Sequence, residues 1–274
     1  MVAKKKRRER GEARMSLAEH FIELRKRLLI SAIAIAVTLV VGWFARHWVW
    51  DVLRTPLTDI REQHGRDTTI NYSDVASAFD LQVQIALFIA VILASPVWLS
   101  QIWLFFAPGL TKREKMYTLG FFGSAIPLFL AGVYAGWSVF PNIVRLLISF
   151  APEEDTALLS ARGYLDLAIK LMLAVGVGFV VPVFLVLLNF IGVLSGKAIL
   201  KSWRGAILGI ILFAGITTPA ADLVSMFLLA IPMVLLYFLA ALIATLHDKR
   251  VAKRQAAEFA EYDLNAEEGT SDPT

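Results

Sequence analysis

The sequence predicts an all-α polytopic membrane protein, and three observations carry this prediction. Of its 274 residues, 57% are hydrophobic and only 18% are charged, whereas soluble domains usually carry about 25% charged residues. Six apolar segments follow one another along the chain, and Lys and Arg concentrate in alternate connections between them. A soluble globular enzyme is therefore excluded. The absence of cysteine also excludes disulfides, zinc fingers and thiol catalysis.

Each apolar segment is predicted to be a membrane-spanning helix, because a bilayer core needs roughly 20 apolar residues of helix. The segments are residues 28–45, 81–111, 116–144, 165–188, 203–216 and 223–246. Four of them contain proline, which predicts kinked helices. The fifth rises only about 21 Å, less than the roughly 30 Å core. A re-entrant hairpin over segments five and six is therefore an alternative to two crossings.

The distribution of charge predicts the orientation. The net charge is only +4, too small to indicate nucleic acid as a partner. However, 20 Lys and Arg residues flank one set of segment ends and 6 flank the other. Positive residues mark the cytoplasmic face, so both termini are predicted to be cytoplasmic. Residues 1–15 are predicted to be a basic disordered arm, 16–246 the membrane domain, and 247–274 a cytoplasmic tail in which a frayed helix passes into disorder.

No catalytic or metal-binding motif is found in the sequence. It contains no glycine-rich phosphate loop, no His-Glu-x-x-His pattern and no Gly-x-Ser-x-Gly nucleophile. The four histidines are scattered over both predicted faces and form no ligand set. We therefore expect no enzymatic activity, no metal and no cofactor.

Two pairs of glycines have the small-xxx-small spacing of close helix contacts. They are Gly132 with Gly136, and Gly205 with Gly209. Such pairs let helix backbones approach each other in membranes. Packing within the chain is favoured over contact with another subunit for both pairs, and the spacing leaves both readings open.

Two ionisable residues lie inside the fourth segment. Lys170 is the only basic residue within a segment, and Asp166 lies one helical turn before it. An i,i+4 ion pair is available, and Lys170 can also extend to the nearer interface. The functional alternative is a polar element in a cavity.

Two carboxylates stand among basic residues beside two predicted cytoplasmic helix ends. Glu23 precedes the first segment, and Glu114 lies in the loop of residues 107–115. One alternative is an amphipathic entry helix whose Arg and Lys bind lipid headgroups, with Glu23 and Arg27 paired at i,i+4. Glu23 is the residue that this alternative explains least well, because its carboxylate would face anionic lipid. A solvated loop with local ion pairs explains the second. Alternatively, both carboxylates bind a cationic peptide, each pairing with a guanidinium.

Six short motifs follow in order over residues 16–246. They are His20-Phe-Ile-Glu-Leu-Arg-Lys-Arg-Leu, Pro56 in Arg-Thr-Pro-Leu, Ser73-Asp-Val-Ala-Ser-Ala-Phe, Ser95-Pro-Val-Trp-Leu-Ser-Gln-Ile-Trp-Leu-Phe-Phe-Ala-Pro-Gly-Leu, Lys112-Arg-Glu-Lys, and Thr218-Pro-Ala-Ala-Asp before Leu228-Leu-Ala-Ile-Pro-Met. Together they resemble the TatC family, the core subunit of the twin-arginine protein translocase.

The resemblance implies a cup-shaped protein of six transmembrane helices, N-in and C-in, with short fifth and sixth helices. It also implies location in the cytoplasmic (inner) membrane of a prokaryote. In the family, the cytoplasmic surface near the first helix receives the twin-arginine motif of a signal peptide. The matching residues are Glu23 and Glu114, with Arg25, Gln101 and Phe105 in the same region.

Further residues match family positions elsewhere. Pro56 falls in the first outer loop, and Thr218, Pro219 and Asp222 match the outer turn between helices five and six. The neighbouring helix surface is the expected contact with single-span TatA and TatB partners. Other expected partners are the lipid bilayer and further copies of the chain. The implied function is export of folded precursors, driven by the proton motive force.

The sequence departs from the family pattern at two places. Many relatives carry an intramembrane glutamate where this chain has Val180, and some carry a polar residue where it has Met226. A mechanism that needs a carboxylate at position 180 is therefore not expected to apply. Lys170 is a polar group that the family pattern does not predict, and we hypothesise that it and Asp166 keep water in the concave face.

Two other classes of membrane protein fit the sequence less well. A secondary transporter for a small solute usually shows internal repeats and several polar groups at mid-membrane. No repeat aligns here, and the middle of each segment is almost wholly apolar. An intramembrane hydrolase would need a catalytic motif, and the sequence has none.

Overall fold

A computed structural model describes residues 17–64, 69–72, 76–106, 114–150, 158–218 and 223–270. Within these ranges the chain forms eight α-helices and two short β-strands. In chain order they are α1 Leu17–His64, β1 Thr69–Asn71, α2 Ser77–Leu93, α3 Ser95–Phe106, α4 Glu114–Ser149, β2 Leu158–Ser160, α5 Ala161–Phe190, α6 Gly196–Lys201, α7 Trp203–Thr217 and α8 Leu223–Thr270.

All six predicted segments are helical where the structure describes them, apart from a break at Ala94 in the second. By length and composition, α1, α4, α5 and α8 can each cross a membrane, and α2 with α3 can form one broken span. The helix α7 has 15 residues, a rise of about 22 Å, and is the short fifth segment. The all-α class is therefore confirmed. The two strands form only a three-residue parallel ladder, which joins the chain after α1 to the chain before α5.

The second segment is two helices and not one kinked helix. The axes of α2 and α3 differ by 58° across Ala94. Pro96 lies in the first turn of α3, where its missing N–H costs no intrahelical bond. The indole Nε1 of Trp98 donates to the Val91 carbonyl at 2.9 Å and so ties the two helices together across the break.

The helix α1 continues beyond its apolar stretch and contains Pro56. The prediction that Pro56 lies in a loop was wrong, because the helix runs on to His64. A proline inside a helix costs about 3 kcal/mol, and burial of Leu53 and Leu57 against the core offsets this cost. The hydroxyl of Tyr164 on α5 also donates to the Leu53 carbonyl at 2.7 Å.

The centre of the bundle is the contact between α4 and α5. A Cβ atom at Gly132 would lie 2.8 Å from the Gly176 Cα, and one at Gly136 would lie 2.9 Å from the Met172 Cα. The pair on α4 therefore permits close packing within the chain, as favoured from the sequence. Nothing lies within 4 Å of a Cβ at Gly205 or Gly209, so this second pair makes no such close contact in the structure.

The first two helices also approach closely. A Cβ atom at Gly42 would lie 2.3 Å from the Ala86 carbonyl oxygen, which leaves room for glycine alone. One turn earlier on α1, the Thr38 hydroxyl donates to the Ala90 carbonyl at 3.0 Å. These contacts hold α1 against α2 and fix the direction in which α1 runs along α3.

Asp248 joins α8 to the last turn of α5 and to the first residue of α6. Its Oδ1 accepts a hydrogen bond from the Asn189 side-chain amide at 2.7 Å, and its Oδ2 accepts one from the Gly196 backbone N–H at 2.6 Å. The expected boundary at residue 247 thus falls inside α8. The chain after this boundary is helical as far as Thr270.

Candidate functional site

The N-terminal part of α1 lies against α3 and presents three polar side chains on one face. His20, Glu23 and Arg27 have i, i+3, i+7 spacing, which places them on the same side of a helix. The His20 ring stacks on the Phe105 ring with centroids 4.4 Å apart. Arg27 Nη1 donates to the Gln101 Oε1 atom at 3.4 Å. Glu23 therefore lies between two contacts that join α1 to α3.

One oxygen of the Glu23 carboxylate is paired with Arg27. The Nη2 and Nε atoms of Arg27 donate to Glu23 Oε1 at 2.5 and 3.1 Å. The two side chains are 18% and 20% exposed, so this pair is more shielded from solvent and salt than ordinary surface ion pairs. The i,i+4 pair predicted from the sequence is thus confirmed.

The other oxygen of the same carboxylate is buried without a partner. Glu23 Oε2 is inaccessible and accepts no hydrogen bond from any described part of the chain. A buried acceptor without a donor costs about 1–3 kcal/mol, and more when the group is charged. The site therefore gains free energy from a ligand that brings a hydrogen-bond donor, above all a cationic one.

The neighbouring side chains define what such a ligand would contact. Gln101 is half-buried, and its amide nitrogen also donates to the Ser100 hydroxyl at 3.2 Å. The rings of His20 and Phe105 stack with their planes 30° apart and form an aromatic surface, which lies about one helical turn from Glu23 along α1. A planar guanidinium suits such a surface, since it can stack on rings and donate in its own plane.

Arg25 points away from this cluster. It is exposed and lies with Phe21 and Leu28 on the outer surface of α1. The helical period explains the difference, because residue 25 lies about 200° around the helix from residue 23. Of the five residues that the resemblance placed together, the structure groups Glu23, Gln101 and Phe105 and leaves Arg25 elsewhere.

Glu114 is the first residue of α4, and its side chain lies outside the described part of the structure. Pro219 and Asp222 fall in residues 219–222, which are also outside it. Thr218 is described and buried at the end of α7, where its hydroxyl donates to the Ala214 carbonyl at 2.9 Å. Its described role is thus to close the last turn of α7.

The intramembrane pair expected on α5 is not formed. Asp166 Oδ1 accepts a hydrogen bond from the Gln84 amide of α2, and no ion pair joins Asp166 to Lys170 among the residues described. The Lys170 side chain is exposed. Gln84 and Asp166 are 82 positions apart, so the sequence held no local signal for this contact.

Position 180, where the family resemblance implied a glutamate, lies in an apolar cluster. Val180 is 2% exposed and packs in one cluster with Leu99, Trp103 and Phe129. A carboxylate at this place would be buried among hydrocarbon, which is costly without a partner. The apolar side chain of valine therefore suits this buried position.

The sequence analysis did not single out His20 or Arg27 as site residues. Arg27 could have been found from its i,i+4 spacing to Glu23, whereas the stacking of His20 on Phe105 depends on the approach of α3. In the ranges that the structure describes, no three His, Cys, Asp or Glu side chains gather as a metal site.

The fold and the site define a polytopic α-helical membrane protein with a half-satisfied carboxylate beside an aromatic surface at one end of the bundle. A family model described as "Sec-independent protein translocase protein (TatC)" matches residues 19–232. The chain therefore belongs to the TatC family. It is a component of the Sec-independent (Tat) protein translocase, a transport subunit and not an enzyme.

Individual relatives agree with this assignment. The Sec-independent protein translocase protein TatC of Xylanimonas cellulosilytica is 40% identical over 89% of this chain and 88% of its own length. That of Rothia mucilaginosa is 35% identical over 89% of this chain and 84% of its own. A crystal structure of the twin arginine translocase receptor TatC in DDM matches with a TM-score of 0.69 and 27% identity, covering 82% of this chain and 99% of that one. The six-helix, cup-shaped architecture fits this match, and the family assignment replaces the small-solute transporter alternative.

Proposed function

We propose that this protein is the receptor for twin-arginine signal peptides within its translocase and that Glu23 binds one of the two arginines. The observation that carries the proposal is the buried Oε2 of Glu23, which has no donor in the described structure. A solved relative with 27% identity is described as a twin arginine translocase receptor, and this supports the same role here.

The geometry suggests how the arginine is bound. Arg27 holds Oε1 and so fixes the carboxylate. A second guanidinium would displace the side chains that cover the buried Oε2 and donate to it. The guest cation would lie beside the rings of His20 and Phe105 and could stack on them. A lysine ammonium supplies charge but neither the planar stack nor two parallel donors. Arginine is therefore preferred over lysine.

The remaining predicted residues complete the proposal. Glu114, at the start of α4, would bind the second arginine, and Arg25 would contact the peptide from the outer side of α1. Pro56, Thr218, Pro219 and Asp222 would shape the opposite end of the bundle. Asp166 and Lys170 would keep water in the concave face.

The orientation and partners follow from the charge bias and the family. We propose that both termini are cytoplasmic and that the protein lies in the inner membrane of a prokaryote, because the connections with many Lys and Arg then face the cytoplasm. The surface of α7 and α8 would contact single-span TatA and TatB partners, and several copies would assemble into one receptor complex. The proton motive force would drive export of folded precursors.

Site-specific crosslinking of a twin-arginine precursor tests the proposal. Wild type is compared with Glu23→Ala and Glu114→Ala, and a precursor with Lys-Lys in place of Arg-Arg is the control. Each glutamate variant should lose capture of the Arg-Arg precursor, and wild type should capture the Lys-Lys precursor poorly. Equal capture in all four cases would overturn the receptor assignment.

A further inference from the structure

A groove opens where α5, α7 and α8 meet, and we call it the α7 groove. Its volume is about 300 Å³, twice that of an engineered apolar cavity of about 150 Å³ that takes up benzene. The side chains that line it are apolar except for one tyrosine hydroxyl, which is already bonded to a backbone carbonyl of α6. The lining includes Val181, Leu185, Ala206, Gly209, Phe213 and Tyr237. The groove therefore has room for a narrow apolar ligand.

The helix α7 packs incompletely beside this groove. Within this helix, all of which the structure describes, Ala214 alone is buried. Nothing in the described structure lies within 4 Å of a Cβ atom at Gly209, and Val181 on the wall formed by α5 is 51% exposed. Side chains that border an unfilled gap lose dispersion contacts on that side. A ligand in the groove would restore those contacts and hold α7 against α5.

The groove has the length and the depth of a lipid chain. Along α5 it runs from Val177 to Leu185, a rise of about 12 Å, and the hydrocarbon of one leaflet is about 15 Å thick. On α7 it begins at Ala206, about 5 Å along the helix axis from Trp203. Trp203 is exposed, and tryptophan is enriched at membrane–water interfaces. The groove therefore lies among the acyl chains of the leaflet next to the start of α7.

Two basic side chains lie at the end of the groove nearest this interface. Lys201 ends α6 and Arg204 belongs to the first turn of α7, and both are exposed. Each stands within two positions of Ser202, which lies one turn before Ala206 on the same face of the chain. Neither has an acidic partner among the described residues. Asp248, which contacts α6, already accepts a hydrogen bond on each of its two oxygens.

We propose that the α7 groove holds one acyl chain of an anionic phospholipid whose phosphate lies at Lys201 and Arg204. Basic sites between membrane helices on the cytoplasmic side bind anionic headgroups, and the charge bias assigns this end of α7 to that side. A transmembrane helix is about 10–12 Å across, too wide to enter a groove of about 300 Å³. The inference does not depend on the twin-arginine site, because that site lies on α1 and α3.

Native mass spectrometry of the full chain in detergent tests the acyl-chain part of the proposal. The protein is titrated with phosphatidylglycerol or with phosphatidylcholine of the same chain length. Gly209→Leu places a side chain in the open space of the groove, and Gly205→Leu is the matched control. Gly205 is also free of neighbours within 4 Å in the described structure, but it does not line the groove. Gel filtration checks that both variants are folded.

Gly209→Leu should weaken retention of phosphatidylglycerol by about 10-fold or more, because its side chain takes the space of the lipid chain. Gly205→Leu should retain the lipid like wild type. Equal retention by the two variants would overturn the proposal. Capture of a twin-arginine precursor is measured on the same samples, so a failure here leaves the receptor assignment untouched.

A second pair of variants tests the headgroup part. Lys201→Gln/Arg204→Gln should weaken binding of phosphatidylglycerol by about 25-fold and leave phosphatidylcholine unchanged. The control Lys253→Gln/Arg254→Gln removes the same charge at exposed positions of α8 and should have no effect. Equal weakening by both pairs would indicate general charge attraction. That result, or equal binding of the two lipids by wild type, would overturn the proposal.

A photoreactive phosphatidylglycerol locates the lipid. With a diazirine in the middle of one chain and an equimolar amount of lipid, adducts should concentrate in the fragments that contain residues 177–185 or 206–213. An excess of unlabelled phosphatidylglycerol should suppress them, and an excess of phosphatidylcholine should not. Absence of adducts in both fragments, or a dimer that Gly209→Leu dissociates, would assign the groove to another occupant and overturn the inference.

Discussion

Replacement of Glu23 by glutamine tests the site with little disturbance of the fold. Glutamine has the same shape and keeps a carbonyl oxygen that can still accept from Arg27, whose donors lie 2.5 and 3.1 Å from Oε1. What changes is the charge, and the buried Oε2 becomes an amide nitrogen. The position that accepted a guest guanidinium then presents a donor to it.

The expected loss of affinity can be worked from this geometry. A hydrogen bond to a charged group contributes about 1.5–3 kcal/mol. Since every 1.4 kcal/mol is about a factor of ten, the Kd for a twin-arginine peptide should rise about 10- to 150-fold. Glu23 is only 18% exposed, so added salt should reduce this difference only modestly.

The assay is titration of a fluorescent twin-arginine peptide against the purified full chain. Glu19→Gln is the matched control, because it makes the same change one turn earlier on α1 at an exposed position. The control should bind like wild type. A change below threefold for Glu23→Gln, or an equal loss for Glu19→Gln, would refute the reasoning.

Three further predictions concern stability and transport. Gly42→Ala should lower the free energy of unfolding by about 1–3 kcal/mol and reduce the melting temperature in detergent, because its Cβ would lie 2.3 Å from a backbone oxygen of α2. Gly209→Ala is the control and should leave the melting temperature unchanged. Equal melting temperatures for the two variants would contradict the prediction. Asp248→Ala should lower the free energy of unfolding by about 1–3 kcal/mol and speed amide hydrogen exchange in α6, since two hydrogen bonds are lost. The control is Lys249→Ala at the exposed neighbouring position. Amide exchange in α6 that is no faster in Asp248→Ala than in the control would contradict the prediction. Lys170→Leu should reduce export of a folded precursor, whereas Lys170→Arg should retain it. Normal export by Lys170→Leu would contradict the hypothesis that Lys170 and Asp166 keep water in the concave face.

The positions of three helices were predictable from the sequence. The helices α4, α5 and α7 begin and end within a few residues of the predicted segments, because long apolar runs bounded by charge or glycine are a local signal. The Glu23–Arg27 pair was predictable for the same reason, since i,i+4 neighbours meet on any helix. Glu23 itself was conspicuous as a carboxylate among basic residues.

The misplaced elements failed for physical reasons of their own. The course of α1 past Pro56 depends on Leu53 and Leu57 packing against the core, and a proline normally argues for a helix end. The boundary expected at residue 247 falls inside α8, where Asp248 is tied to α5 and α6. In both places, packing between distant parts of the chain outweighed the local pattern.

The sequence by itself determined the class of protein, the number of apolar segments and their bias of charge, because hydrophobic length and loop charge act locally along the chain. Only the tertiary structure decided which side chains meet. The stacking of His20 on Phe105 and the bond from Arg27 to Gln101 join residues more than 70 positions apart. They exist because the close approach of Gly42 to α2 and the 58° break after Leu93 bring α3 alongside α1. The same packing buries Glu23 Oε2 without a donor in the described part of the chain, and the proposed binding of an arginine rests on this oxygen.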